Sequence, residues 1–262
     1  MFWKRLLSAL IGIPLLLAAV WYGGIFLFLL TTVLMLLGAW EISRIFARIE
    51  LHLPPALLLT GCTVLLLAAY RWQHGYPGTA VLSVLLLYLL AMLLLYPRLK
   101  PIDVAVAFFS TMYVGLIIYL YLLSTLADGW VWLLFMLLCT WASDTAAFLV
   151  GRKAGRRQIA PALSPAKTLE GAAGGVAGSF LTALLVALLY PQFPVLPVLI
   201  LGILVGFGAQ AGDLVESAIK RQVGIKDAGK LIPGHGGILD RFDSMLFTAP
   251  LVYYYVGLII TG

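Results

Sequence analysis

Apolar residues run through this chain in long blocks, broken at near-regular intervals by short polar, glycine-bearing or proline-bearing stretches. A hydrocarbon core of about 30 Å needs roughly 20 apolar residues per helix, and that ruler sets the spans. Nine candidates result, approximately Leu6–Tyr22, Gly24–Trp40, Pro54–Tyr70, Gly78–Tyr96, Ile102–Thr125, Trp130–Gly151, Gly171–Tyr190, Val195–Ser217 and Phe242–Ile260. Only the Gly23–Gly24 pair separates the first two. Trp and Tyr gather at span ends (Trp21, Tyr70, Trp72, Tyr96, Trp130, Tyr190), as interfacial belts require. The expected fold is all-α: a polytopic membrane protein of about nine helices in one integral domain, 1–262. Within it, 1–100 holds N-terminal spans and 101–262 the spans and loops with the polar machinery.

Composition agrees with this pattern. Of 262 residues, 63% are hydrophobic and 11% charged, against about 25% charged in soluble domains. No soluble core of this length could hide that much apolar surface. Cys62 and Cys139 both lie in apolar runs, which excludes a disulfide framework or a cysteine metal site. Met1–Ala19 has a signal-like layout, Lys4-Arg5 before an apolar run. It lacks a small-x-small cleavage site and is read as a retained first span.

Charge adds a side to the spans. With nine spans, every basic residue except Arg71 falls on one face of the membrane, sixteen of seventeen. The positive-inside rule makes that face cytoplasmic, with the N-terminus on it. The two longest connections, Arg152 to Glu170 and about Ile219 to Arg241, lie on the same side and hold most of the charge.

Ionisable residues within spans are functional candidates by default. Asp144 lies about 10 Å inside the cytoplasmic end of its span, with no basic residue near it on that helix; its alternative is a buried carboxylate paired with a neighbouring Arg. Asp213 and Glu216 share a helical face, either as metal ligands or as ion-pair partners of Lys220 and Arg221. Further on, Lys226-Asp227, Lys230 and Pro233-Gly234-His235-Gly236-Gly237 precede Asp240-Arg241-Phe242-Asp243. Glycines let such a turn expose N–H groups as an anion cradle before a helix, and Lys226, Lys230 and Arg241 add charge suited to phosphate. Asp240 could instead be an N-cap, with Asp243 favouring the helix dipole. In the other loop, Ser164, Lys167 and Thr168 could bind phosphate, while Glu170 could act as a ligand or orient Lys167; Thr168 is equally suited to cap the seventh span. Arg152, Lys153, Arg156 and Arg157 fit topology and anionic-lipid contact. The small residues Gly171, Gly174, Gly175 and Gly178 mark a face for close helix packing. Hard oxygen ligands favour Mg²⁺, so carboxylates, glycines and lysines together describe metal-assisted phosphoryl or nucleotidyl transfer.

Ser217-x-Ile219-Lys220-Arg221, Lys226-Asp227-x-Gly229, Ile232-Pro233-x-His235-Gly236-Gly237 and Asp240-Arg241-x-Asp243 together resemble the phosphatidate cytidylyltransferase (CDP-diacylglycerol synthase) family. Ser143-Asp144 and Ser164-Pro165-x-Lys167-Thr168-x-Glu170-Gly171 extend the likeness; the first three spans match in hydropathy alone. The resemblance implies condensation of CTP with phosphatidic acid to CDP-diacylglycerol and pyrophosphate, in a Mg²⁺-dependent site that allows K⁺ as a second ion. It also implies a homodimer; with the bilayer from the apolar spans and the cytoplasmic side from the basic residues, the expected setting is a bacterial inner membrane with the site facing the cytoplasm and no nucleic-acid partner. By position Asp213 and Asp240 are similar to the family's metal-binding aspartates; with Glu216, which its spacing puts beside Asp213, they are the metal candidates. Asp144, Lys167, Lys226, Asp227, Arg241 and Asp243 are the catalytic candidates. Ser164, Thr168, Glu170, Lys220, Arg221, Lys230, His235, Gly236 and Gly237 are the substrate-binding ones. A lipid or polyprenol kinase is the alternative, since it needs similar metal and phosphate parts.

Overall fold

The computed structural model describes residues 2–72, 77–229, 231 and 236–261. Among them, eight helical stretches are long and apolar enough to cross a bilayer, and the first helix adds a shorter apolar stretch, Leu10–Tyr22. The chain is an all-α polytopic membrane protein. Leu93 and Leu188 are 74% and 70% exposed, as side chains facing lipid are. Packing divides the chain into two compact units, 1–125 with 222–241, and 126–221 with 242–262.

The first unit contains α1 (Phe2–Tyr22), α2 (Gly24–Phe46), α3 (Pro55–Trp72), α4 (Pro77–Leu95), α5 (Pro101–Gly115) and α6 (Tyr119–Ser124). Gly23 and Gly24 both have positive φ, 58° and 49°, so the glycine pair breaks the apolar run where other residues would be strained. One apolar block, Pro101–Ser124, is divided by a 3-10 turn at Leu116–Ile118 into α5 and α6. Pro101 opens α5, and Asp103 accepts the N–H groups of Lys100 and His52, each at 2.9 Å. That buried carboxylate fastens the connection after α2 to the start of α5. In the interior, the Tyr88 hydroxyl donates to the Leu57 carbonyl at 3.0 Å and lies 2.5 Å from the Thr111 hydroxyl. Polar atoms inside a membrane protein must find such partners within the chain.

The second unit is formed by α7 (Gly129–Ala154), α8 (Leu169–Leu189), α9 (Val195–Gln222) and most of α10 (Leu239–Tyr255). A hairpin not anticipated from the apolar pattern, β1 (Gln158–Ala160) and β2 (Ser164–Thr168), joins α7 to α8. The small-residue face of α8 lies against α7. A Cβ on Gly174 would press on Val150, and one on Gly171 or Gly178 would press on the carbonyls of Ala147 and Ala142. Ser179 donates to the Gly202 carbonyl at 2.6 Å and Gln210 to the Ala172 carbonyl at 3.0 Å, which ties α8 to α9. These short polar bonds matter because lipid leaves little hydrophobic gain in helix association.

Candidate active site

Asp213 and Glu216 occupy neighbouring turns of α9, as their spacing requires. Just before them, Gly212 meets the backbone of α10: a Cβ there would overlap the Asp243 carbonyl and lie 3.0 Å from the Ser244 Cα. This close backbone approach brings Asp243 to the α9 acids. Carboxylate oxygens of Asp213, Glu216 and Asp243 all lie within 4.8 Å of one another.

Two lysines meet this group. The Lys167 ammonium lies 2.7 Å from Asp213 Oδ2, and Lys220 forms an ion pair with Glu216 one turn away on α9. Asp144, exposed on α7, is within electrostatic reach of Asp213 and Lys167. When all are ionised, four carboxylates face two ammonium groups, an excess of two negative charges. Glu216 is 2% exposed, whereas the Asp213 side chain is 39% exposed. The cluster therefore has a buried side and an open one. It contains carboxylate oxygens only, the donor set suited to a hard divalent cation.

Lys167 reaches Asp213 from the hairpin. Gln158 pairs with Thr168 and Ala160 with Ser164 across β1 and β2, and the Gln158 side chain donates to the Pro165 carbonyl at 2.9 Å. Arg221, at the end of α9, donates from Nε to the Leu163 carbonyl at 3.1 Å and so fastens the hairpin tip. Thr168 caps α8, its hydroxyl accepting the Gly171 N–H at 3.1 Å. Glu170 accepts the N–H groups of Arg156 and Arg157 at 2.9 and 3.2 Å, so its partner here is main chain, while Lys167 pairs with Asp213. Ser164 is half-buried on β2; Arg152, Lys153, Arg156 and Arg157 are exposed.

The other charged loop belongs to the first unit. Asp240, on the opening turn of α10, accepts the Gly237 N–H at 2.7 Å and the Ala228 N–H at 2.9 and 3.1 Å to its two oxygens. Gly236 has φ +92° with the Asp240 carboxylate against it, a place for glycine alone. Lys226, Asp227 and Arg241 are exposed. Lys230 and His235, with Ile232, Pro233 and Gly234, lie outside the described residues. Facing the loop is a residue passed over in the sequence, Glu41 of α2. It is 2% exposed, and its Oε2 accepts the Leu239 N–H at 2.9 Å. A lone acid inside the apolar block Gly24–Phe46 was the available signal, of the same kind that marked Asp144.

Residues 3–259 match the model of the cytidylyltransferase family. The phosphatidate cytidylyltransferase of Staphylococcus saprophyticus is 34% identical over 252 residues, 95% of this chain and 96% of that protein. That of Staphylococcus epidermidis is 33% identical over 251 residues with the same coverage. A shorter likeness, 44% over 133 residues, joins about half of this chain (51%) to 45% of YnbB of Escherichia coli, an uncharacterized protein. With the family model spanning nearly all of the sequence and full-length relatives above 30% identity, the chain belongs to the cytidylyltransferase family.

Proposed function

We propose that this enzyme condenses CTP with phosphatidic acid, releasing pyrophosphate and forming CDP-diacylglycerol at the cytoplasmic face of a bacterial inner membrane. The observation that carries the reading is the cluster of Asp213, Glu216 and Asp243 beside Lys167 and Lys220. Asp213, Glu216 and Asp243 would hold Mg²⁺. When bound, such a cation offsets phosphate charge and makes phosphorus more electrophilic.

A phosphatidate oxygen attacks the α-phosphorus of CTP; a new P–O bond forms and the bond to the bridging α–β oxygen breaks, with pyrophosphate leaving. The nucleophile is anionic at neutral pH, so alignment and charge balance matter more than a general base. Lys167 sits on a hairpin strand and can turn from Asp213 toward a phosphate. Lys220 is placed on α9 to do the same from Glu216. By their motif, Lys226, Lys230, His235, Gly236, Gly237 and Arg241 are the candidates for binding the triphosphate. Asp144 completes the acidic surroundings, and K⁺ is the proposed second ion.

Pyrophosphate release by purified protein in micelles, with CTP and phosphatidic acid and with or without Mg²⁺, tests the reading. CDP-diacylglycerol formed in step with pyrophosphate is the expected result. A nucleoside diphosphate in place of pyrophosphate would mean a lipid kinase, and would overturn it. The side assignment rests on the basic residues and is checked by labelling single cysteines placed at Arg156 or Arg157 from either side of sealed vesicles. The homodimer rests on the family resemblance and is checked by mass in detergent.

A further inference from the structure

We infer that Glu41 is a positioning residue for the two ends of the glycine-bearing loop before α10, Ala228–Gly229 and Gly236–Gly237, and that it serves nucleotide binding in this way; the second part rests on the reading of that loop given above. Glu41 lies in the penultimate turn of α2, buried to 2% exposure. A carboxylate within a membrane helix is costly to keep. Its Oε2 accepts the first N–H of α10, that of Leu239, at 2.9 Å. Two glycines back onto the same carboxylate: a Cβ on Gly229 or on Gly237 would overlap it.

The loop therefore closes on two acids. Gly237 rests against Glu41 while its N–H goes to Asp240 at 2.7 Å, and Ala228, beside Gly229, donates to Asp240 as well. The entry of the loop, Ala228–Gly229, and its exit, Gly236–Gly237, are held together at this point. Capping α10 alone would need only the Leu239 contact, which a local Ser or Asn side chain can supply. The pair of glycines shaped to the carboxylate is what a clamp on the loop requires. Glu41 thus acts through the loop, on the nucleotide rather than on the lipid.

The full-length protein in micelles tests this with two readouts, hydrogen exchange and kinetics. Glu41→Ala is expected to speed exchange at Ala228, Gly237 and Leu239 by about tenfold or more, the size of a lost charge-assisted hydrogen bond, and to leave α7 and α8 unchanged. KM for CTP should rise by a similar factor while KM for phosphatidic acid stays within about twofold. Glu41→Gln keeps an oxygen acceptor and should retain most of both properties. Gly237→Ala should reproduce the rise in KM for CTP, and adding Glu41→Asp, which withdraws the carboxylate, should reverse part of it. That pair decides the matter if Glu41→Ala fails to fold. Unchanged exchange at Leu239 would overturn the inference, as would an equal rise in both KM values. A wild-type protein with no CTP turnover would instead overturn the reading of the loop, and exchange would still decide the clamp.

Discussion

In the unit made of α7, α8, α9 and most of α10, the two α9 acids, Asp213 and Glu216, meet lysine ammonium groups; in the unit made of α1 to α6 and the loop before α10, Glu41 and Asp240 meet backbone N–H groups. The residue type is the same and the consequence differs. An ammonium on a four-carbon stem can change partners at small cost. A backbone N–H moves only with its segment, so a carboxylate bound to it fixes the chain. Asp213 and Glu216 are thus suited to exchanging ions and phosphates, and Glu41 and Asp240 to keeping a loop in shape. Asp240 stands in both descriptions, because the motif reading makes it a metal candidate while the main chain uses it as an anchor.

Substituting the acids separates the two roles most strongly. Asp213→Asn should insert and fold normally yet lose on the order of 10²–10³-fold in turnover, several kcal/mol of barrier. Asp240→Asn should also lose CTP-dependent turnover, and in addition speed hydrogen exchange at Ala228 and Gly237. Identical exchange in the two variants would erase the distinction, and near-normal turnover of Asp213→Asn at saturating Mg²⁺ would remove Asp213 from the site.

A smaller effect tests what assembles the lysine-paired cluster. Gly212→Ala sets a Cβ against the Asp243 carbonyl, a clash worth about 1–3 kcal/mol in thermal stability, and activity should fall with it. Gly208→Ala is the comparison, since its Cβ would meet Leu251 and Thr248 at ordinary distances of 3.4 and 3.6 Å. If both variants behave alike, the α9–α10 approach does not set the cluster. The smallest change expected is for Arg221→Ala, which removes one hydrogen bond to the hairpin tip. A loss of about 1 kcal/mol, or about fivefold in kcat/KM for CTP, should follow, with stability of the remaining helices unchanged. A full loss of activity would instead place Arg221 on the substrate.

Much of this molecule could be read from its letters, for reasons that differ between parts. Long apolar runs admit one solution in lipid, since helices satisfy their own backbone; from Pro54 onward the spans lie within about five residues of their expected limits, whereas the stretch from Gly24 runs to Ile49, nine residues past the expected Trp40. The hairpin did not show itself, because Gln158–Ala160 and Ser164–Thr168 are too short and too polar for a period to register. Glu41 went unseen because a single acid has no periodicity, and its meaning lies in Gly229, Gly237 and Leu239, far along the chain.

The sequence by itself determined the solvent, the helical class, the acids near the ends of spans and the glycine loop, since each follows from local composition and spacing. Apart from the Glu216–Lys220 pair, which lies one turn apart on α9 and was legible from spacing, tertiary structure decided which partner each acid has. That Lys167 pairs with Asp213 and not Glu170, that Gly212 admits Asp243 beside Glu216, and that Glu41 clamps Leu239 all depend on backbones meeting at distances no spacing encodes. Burial in a low-dielectric interior strengthens the Glu41–Leu239 bond, and close packing of small residues makes the approaches specific.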